Sequence, residues 1–434
     1  LRRDNRIFMN YVISKKGKEI FAFFFALSFI LNSYSSGIDG ISLGAVIHII
    51  YAIVSIVLIS KYGLKIGKNA VQISPILLAI IFTVISMIDI VFLPSSETSL
   101  LNSFKELGKV YLWGISICIV NYIFFDLKSL RKWFVIIGGI STLFLFIQFL
   151  MWLIGGSEIN GIISLGLLQP YHIDYSIGSG SFYTSFYRPS SFFSEPAFYA
   201  NFILSAIVLV LVNSNGINKK QYIFIISFFS LGILVSSSTA GIVLLFILFC
   251  LYYKNYILKN LYSFLIGLLV FTSILGVVYF NLESFDESTY LGKSIVTINR
   301  KFEVMDHSRR FGRSYDALDY LKEEQKIFGV GMGNEINILP PNSDSYMNTV
   351  TMIIFSVGVV GLGVFMIFIT GLLLSAKNYV ILFLFISYLA KCVNGSIGFS
   401  LYGILFLGLA IFLNCYYSKE NNYNKFIKSI NYNN

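Results

Sequence analysis

The chain has 434 residues, of which 56% are hydrophobic and 12% charged, and its mean hydropathy is +0.75. A soluble domain carries about 25% charged residues, so this composition excludes an ordinary water-soluble fold and indicates a polytopic membrane protein. The net charge of +10 falls mostly in short segments between apolar runs, where it reads as membrane topology and not as nucleic-acid binding.

Taken in chain order, Met9 is a candidate native start, which would make residues 1–8 upstream sequence. No cleavable signal is expected, because the first apolar run is followed by further runs and not by a small-residue cleavage site. Runs long enough to cross a bilayer as helices occur at 20–36, 42–60, 73–93, 110–125, 133–155 and 197–212. The second half supplies 222–235, 240–253, 261–280, 349–374, 379–393 and 397–413, for about twelve spans in all. The pair 222–235 and 240–253 is short and separated by Ser236-Ser237-Ser238-Thr239. A single long helix is the alternative. Lys219 and Lys220 precede the pair and Lys254 and Lys259 follow it. Basic flanks on one side require an even number of crossings.

The same rule orients the chain. Arg2, Arg3, Arg6, Lys15, Lys16 and Lys18 precede the first run, and alternate loops carry Lys61, Lys65 and Lys68, then Lys128, Arg131 and Lys132, then Lys219 and Lys220, then Lys254 and Lys259, then Lys377. Lys419, Lys425 and Lys428 follow the last run. Both termini are therefore expected in the cytoplasm, within one all-α membrane domain over 1–434. Two long loops, 157–196 and 281–348, then face outward, and long loops on a compact domain usually carry function.

Those loops hold an unusual share of the arginines. Of nine in the chain, Arg188, Arg300, Arg309, Arg310 and Arg313 all fall there. Guanidinium keeps its charge at any working pH and grips phosphate in a bidentate fork. The set points to an anionic ligand, a phosphate or pyrophosphate at the membrane surface; ordinary solvated arginines are the alternative. Residues 308–328 are expected to form an amphipathic helix, with Phe311, Tyr315, Leu318 and Leu321 at helical spacing and Arg309 and Arg313 on one face. It would lie on the membrane with its apolar stripe in lipid. The following Gly329-Val330-Gly331-Met332-Gly333 permits a tight turn and close backbone approach. It is not a nucleotide fingerprint, since no βαβ unit surrounds it. Asp344 and Asn348 sit where the loop re-enters the membrane, and Gly358, Gly361 and Gly363 read as helix-packing positions.

Within the runs, His48, Asp89 and Lys391 are the ionisable residues, each read as structural, with Lys391 close enough to a helix end to snorkel. Cys118, Cys250, Cys392 and Cys415 lack a redox or metal spacing and read as packing residues. The histidines are too dispersed for a metal motif, so no metal or other cofactor is expected.

The most informative stretch is Arg188-Pro189-Ser190-Ser191-Phe192-Phe193-Ser194-Glu195-Pro196, which puts a guanidinium, a carboxylate and two prolines beside an apolar run. Charged groups there are costly without water or partners and mark a functional site. With this segment, several weaker features keep a recognisable order: Val235–Gly241 at a tight turn, the long loop ending in Gly-x-Gly-x-Gly, and Asn348 followed by Gly358-x-x-Gly361. On these features the whole chain resembles the O-antigen and capsule polysaccharide polymerases (Wzy type), within the O-antigen ligase/polymerase group. Two departures concern the ligases of that group. Met347 stands where ligases carry a His before the Asn, and Thr239 where they tend to have an Arg in the short turn.

The resemblance implies a metal-independent glycosyltransferase of the bacterial inner membrane, acting in lipopolysaccharide or capsule biosynthesis on the outer face. Its substrates would be oligosaccharides on undecaprenyl pyrophosphate, its surroundings membrane lipid, and its protein partner a chain-length regulator. In that scheme Glu195, Arg188 and Asp344 are the catalytic candidates, with Glu195 or Asp344 as the base. Arg309, Arg310, Arg313, Arg300 and Asn348 are the substrate-binding candidates. For Glu195 a structural role, paired with Arg188 or capping the next helix, is the alternative. The ligase is the rival within the group; a flippase or other transporter is the rival outside it, and the internal repeat usual in transporters is not evident.

Overall fold

The computed structural model describes residues 14–38, 41–62, 70–92, 99–120, 126–155, 159, 161–162, 169, 187–214, 216–260, 316–339, 347–395 and 398–417. The protein is mostly helical, with one small antiparallel hairpin, β1 (Ser35–Ile38) and β2 (Ile41–Ser42), among the described residues. The apolar runs that fall within them are helical over most of their length. The run at 261–280 and the arginines at 300, 309, 310 and 313 lie outside them.

Helix α1 (Lys15–Leu31) leads through the hairpin into α2 (Leu43–Tyr62), and α3 (Ala70–Phe92) follows. The first helix stops five residues before the expected end of its run, at 31 instead of 36, because the chain turns into β1. Helix α4 (Leu100–Ile115) starts ten residues earlier than the run at 110–125 and continues as a π-helical turn, Ser116–Val120. Ser99 caps it, and Lys105 and Lys109 lie on its exposed face while Ser103, Leu107 and Val110 are buried. That amphipathic first half dilutes any hydropathy average, which hid it. Helix α5 (Leu127–Gly155) begins at Asp126, whose carboxylate accepts from Ser129 N at 2.6 Å.

Helix α6 (Pro196–Val212) is the axis of the molecule. It is apolar but for Tyr199, Asn201 and Ser205 and is enclosed from Tyr199 to Leu211, as expected of a helix with no charged face. Phe202 stacks on Phe134 of α5 (4.8 Å between centroids, 13° between planes) and meets Phe29 of α1 and Phe193. Helices α7 (Lys219–Val235) and α8 (Thr239–Tyr252) are separate, joined by a turn at 236–238 in which Ser237 has φ 53°. A short α9 (Lys254–Lys259) follows.

Residues 316–328 are not one amphipathic helix. A 3-10 turn (Ala317–Tyr320) and a six-residue helix α10 (Glu323–Phe328) are separated by the extended Leu321 and Lys322. Leu321 and Ala317 pack inward on Val330, Met347 and Phe355, not outward on lipid. A single turn, α11 (Glu335–Ile338), precedes α12 (Thr349–Ser375), α13 (Tyr379–Asn394) and α14 (Leu401–Tyr417), which contains a π-helical stretch at Ile404–Gly408. Three described helices carry segments long and apolar enough to cross a membrane: Ala70–Ile88, Leu127–Ile154 and Thr349–Ser375.

Helix α12 is broken at Gly358, whose φ 68° and ψ −173° lie in a region open essentially to glycine alone. The break frees carbonyls, and the glycine-rich loop takes them. Val330 N donates to Phe355 O and Gly331 N to Ser356 O, both at 3.0 Å. Gly329, at φ 84° and ψ −159°, leaves room for this approach; a Cβ there would run into the Ser356 carbonyl. The expected close backbone approach is thus present. Gly358 serves it by interrupting the helix, not by packing one helix on another; Gly361 is crowded by Val357 of its own helix with Phe82 of α3 at van der Waals distance, and Gly363 is exposed with open space beside it, so it is not a packing position.

Side-chain ties sort the helix ends into two sets. At one end, Arg131 reaches Asn213 O at the close of α6, Lys132 pairs with Glu19 at 3.3 Å, Lys254 donates to the Tyr379 hydroxyl at 3.0 Å, and Asn414 meets Ser375. The opposite end carries the starts of α6, α8, α12 and α14 and the close of α1.

Candidate functional site

Residues 187–195 approach α6 without regular structure and turn at Ser191–Phe192, where Phe193 N donates to Ser190 O at 3.1 Å; burial alternates along 187–194. Tyr187, Pro189, Ser191 and Phe193 point inward; Arg188, Ser190, Phe192 and Ser194 are half-buried between them. The inward set is firmly anchored. The Tyr187 hydroxyl donates to Ile159 O at 2.7 Å. Ser191, at φ 57°, donates its N–H to Gln148 Oε1 at 2.8 Å and its Oγ–H to Ser141 O at 2.7 Å. A left-handed non-glycine residue costs about 1–3 kcal/mol, which these two bonds offset. Gln148 Nε2 in turn donates to Ile159 O at 3.0 Å. Phe192 stacks on Phe144 (4.5 Å, 4°), and Phe193 is fully enclosed against Tyr199 and Phe202.

Two charged side chains project from this rigid segment. Arg188 Nη2 donates to Ser237 O at 3.1 Å, at the left-handed corner between α7 and α8. Ser238, next along, caps α8 by accepting from Gly241 N at 3.2 Å. Gly241 lies against Ala200 of α6, so the starts of α6 and α8 are neighbours. Glu195 occupies the capping position of α6 ahead of Pro196, yet its side chain makes no capping hydrogen bond. Among the described residues it forms no ion pair with Arg188, so the pairing alternative does not hold, while its place at the head of α6 fits the other, a negative charge at a helix start. Close by, Tyr402 at the start of α14 stacks its ring on Phe198 (4.2 Å, 5°), within the first turn of α6, and donates its hydroxyl to Phe29 O at 3.2 Å.

Asn348 caps α12. Its Oδ1 accepts from Thr351 N at 2.8 Å and Thr351 Oγ1 at 3.1 Å, and the residue is 3% exposed. Thr349 beside it donates both N–H and hydroxyl to Gly395 O at 2.9 and 2.8 Å, tying α12 to the end of α13. Arg188, Glu195 and Asn348 therefore stand at the same end of the bundle, each at a helix start. Asp344, Arg300, Arg309, Arg310 and Arg313 lie outside the described residues. His48 packs on Phe25 and Phe29 with Nε2 3.1 Å from Ser28 Oγ, the expected structural role. Lys391 does not snorkel to the surface: it is 7% exposed.

A second polar cluster escaped the sequence reading. Asn334, wholly buried, accepts from Ser99 N at 2.7 Å and donates to Ser103 Oγ and Val330 O at 3.0 Å, clamping the glycine-rich loop to the start of α4. Glu335 follows it. Burial, with the Glu106 charge adding, holds its carboxyl above the usual carboxylate range, against backbone N–H groups of Glu335 and Gly333 and the charge of Lys109. Lys109 pairs with Glu106 at 2.5 Å. Nothing in the sequence links residue 335 to residue 106; only the docked loop does.

The fold and site together define a largely helical protein with membrane-crossing character and a charged, scaffolded cluster at one end of its bundle. No protein-family model matches the chain, and no curated protein matches it.

Proposed function

We propose that the chain is a repeat-unit polymerase of O-antigen or capsule type, on the outer face of the bacterial inner membrane. It transfers a glycan from undecaprenyl pyrophosphate to a single lipid-linked repeat unit. The observation that carries the reading is the anchored 187–195 segment, which brings Arg188 and Glu195 to the start of α6, the most enclosed of the described helices. The starts of α6, α8, α12 and α14 at that end add their positive dipole ends, which supports an anionic ligand there.

In this reaction the acceptor hydroxyl gives its proton to the Glu195 carboxylate as its oxygen attacks the anomeric carbon of the donor. The bond from that carbon to the pyrophosphate oxygen breaks, and the lipid pyrophosphate leaves with the electron pair. Arg188 stabilises the charge that develops on it. The guanidinium already has a carbonyl partner in Ser237, which fixes one nitrogen and aims the fork.

Deleting the gene and sizing the surface polysaccharide on a gel tests the reading. Single repeat units left on the final acceptor support the polymerase. Loss of all transfer to that acceptor indicates the ligase, and loss of exported units a flippase.

A further inference from the structure

The end of the bundle opposite Arg188 and Glu195 carries a feature that the proposed reaction does not use. The chain has no acidic residue between Glu195 and Glu283, while Lys219, Lys220, Lys254 and Lys259 all fall in that stretch. The fold gathers these lysines at one corner. The Tyr222 hydroxyl, two residues beyond Lys220 in α7, donates to that of Tyr252 at the close of α8 at 3.4 Å. This bond brings the start of α7 to the junction of α8 and α9. Lys254 is engaged there: it donates to the Tyr379 hydroxyl at 3.0 Å, and its ammonium lies 4.4 Å from the centre of that ring. Lys219, Lys220 and Lys259 are exposed and form no ion pair among the described residues. Beside them lies an open groove of about 440 Å³, walled by Phe246, Phe249 and Cys250 of α8 and by Tyr253, Tyr256 and Ile257. Its lining is apolar, and Lys259 stands one turn beyond Tyr256 on the same short helix.

Tyrosines collect where hydrocarbon meets head groups, and Tyr252, Tyr253 and Tyr256 mark that boundary here. Phe246 lies about 9 Å below Tyr252 along α8, so the groove reaches acyl-chain depth while the lysines stand at head-group depth. Membrane topology accounts for the sign of the lysines and leaves the groove unexplained. An apolar slot that ends among cations fits a molecule with a hydrocarbon chain and an anionic head. We propose that this corner is a binding site for an anionic phospholipid of the adjoining leaflet, with one acyl chain in the groove and the phosphate among Lys219, Lys220 and Lys259. No carboxylate of α7, α8 or α9 competes for these lysines or repels the phosphate. Helix α13, which packs on α8, carries none either. The site stands apart from the glycan chemistry and does not depend on it.

The full chain, purified in detergent and titrated with dioleoylphosphatidylglycerol or dioleoylphosphatidylcholine, tests this, with retained lipid counted by native mass spectrometry. One phosphatidylglycerol should stay bound at concentrations where phosphatidylcholine is lost. Changing Lys219→Gln, Lys220→Gln and Lys259→Gln together should weaken its retention about fivefold per lysine. Lys105→Gln, at an exposed cation of α4, should leave it unchanged. Cys250→Trp fills the groove and should abolish retention with every lysine in place. Equal retention of the two lipids, or an unaffected triple variant, overturns the proposal. A second arm locates the site with phosphatidylglycerol that carries a photoreactive group at the end of one acyl chain. Crosslinks should concentrate within residues 246–257; crosslinks spread evenly over the lipid-facing helices overturn the proposal. Preference for undecaprenyl phosphate over phosphatidylglycerol would assign the groove to the carrier lipid and overturn it too. Should Cys250→Trp fail to fold, the lysine variant, altered only at exposed side chains, and the crosslinking arm still decide.

Discussion

At the scale of the residue, Arg188 and Glu195 differ in how their neighbours hold them, and so in how substitution should act. Arg188 is oriented by Ser237 O through one nitrogen, and a lysine has no second nitrogen to present. Charge-assisted contacts are worth about 1.5–3 kcal/mol, so Arg188→Ala should slow polymerisation roughly ten- to a hundredfold. Arg188→Lys should be impaired as well, because it keeps charge and loses the fork. Chain-length distributions at matched protein levels measure both, and normal lengths in Arg188→Ala would exclude this residue. Glu195→Gln keeps the size of the side chain and leaves α6 without any lost cap bond, since none exists. The expected outcome is a folded protein that binds lipid-linked substrate and fails to extend it. Near-normal extension would move the search for the base to Asp344.

At the scale of the element, the glycine-rich loop and the break in α12 are one device. Gly329 and Gly358 both hold conformations that L side chains rarely adopt, and each faces the other's backbone: Ser356 against Gly329, Ile327 against Gly358. Gly358→Ala should therefore cost about 1–3 kcal/mol in backbone strain alone, with the steric clash in addition. A clear drop in melting midpoint in detergent is expected; an unchanged midpoint would mean that the helix can reseal. The same loop predicts a pH dependence. Burial raises the folded-state pKa of Glu335 above its unfolded value. In the window between those two values the folded state binds more protons than the unfolded one, so stability falls as pH rises. The stabilising contribution is complete below the ordinary carboxylate pKa and lost above the raised one. Glu335→Gln should thus be more stable than wild type near neutral pH, with the difference shrinking on acidification. Melting curves across that range decide it, and a pH-independent difference would rule the account out.

At the scale of the whole molecule, the two ends of the bundle carry different ties. Arg131, Lys132 and Lys254 are engaged at one end, and Arg188 and Glu195 stand at the other. If the first end is cytoplasmic, as the lysine pattern requires, cysteines placed at 132, 220 and 377 should resist an impermeant thiol reagent in intact cells. Cysteines at 188 and 313 should react. The background must lack Cys118, Cys250, Cys392 and Cys415. Labelling at 220 without labelling at 313 would reverse the orientation.

How much of this was legible follows from the range of each interaction. Apolar runs announce helices because a membrane-embedded backbone must satisfy its own hydrogen bonds within each segment. The separation of α7 from α8 was readable from flanking lysines, and the Arg188–Pro196 segment from charges misplaced beside an apolar run. The early start of α4 was not, because its exposed charged face cancels its buried face in any average. Nor was the enclosure of Asn348 as a cap. The charged neighbour of Glu335 was beyond reach altogether, since Glu106 arrives from far along the chain. The sequence by itself determined a helical membrane protein with a charged segment ahead of its central helix. Only the tertiary structure decided that Glu195 heads α6 without an ion pair to Arg188, and that Gly358 breaks α12 to receive the glycine-rich loop. Local propensity and hydropathy act between near neighbours in the chain. Burial and hydrogen-bond direction depend on what packing brings together.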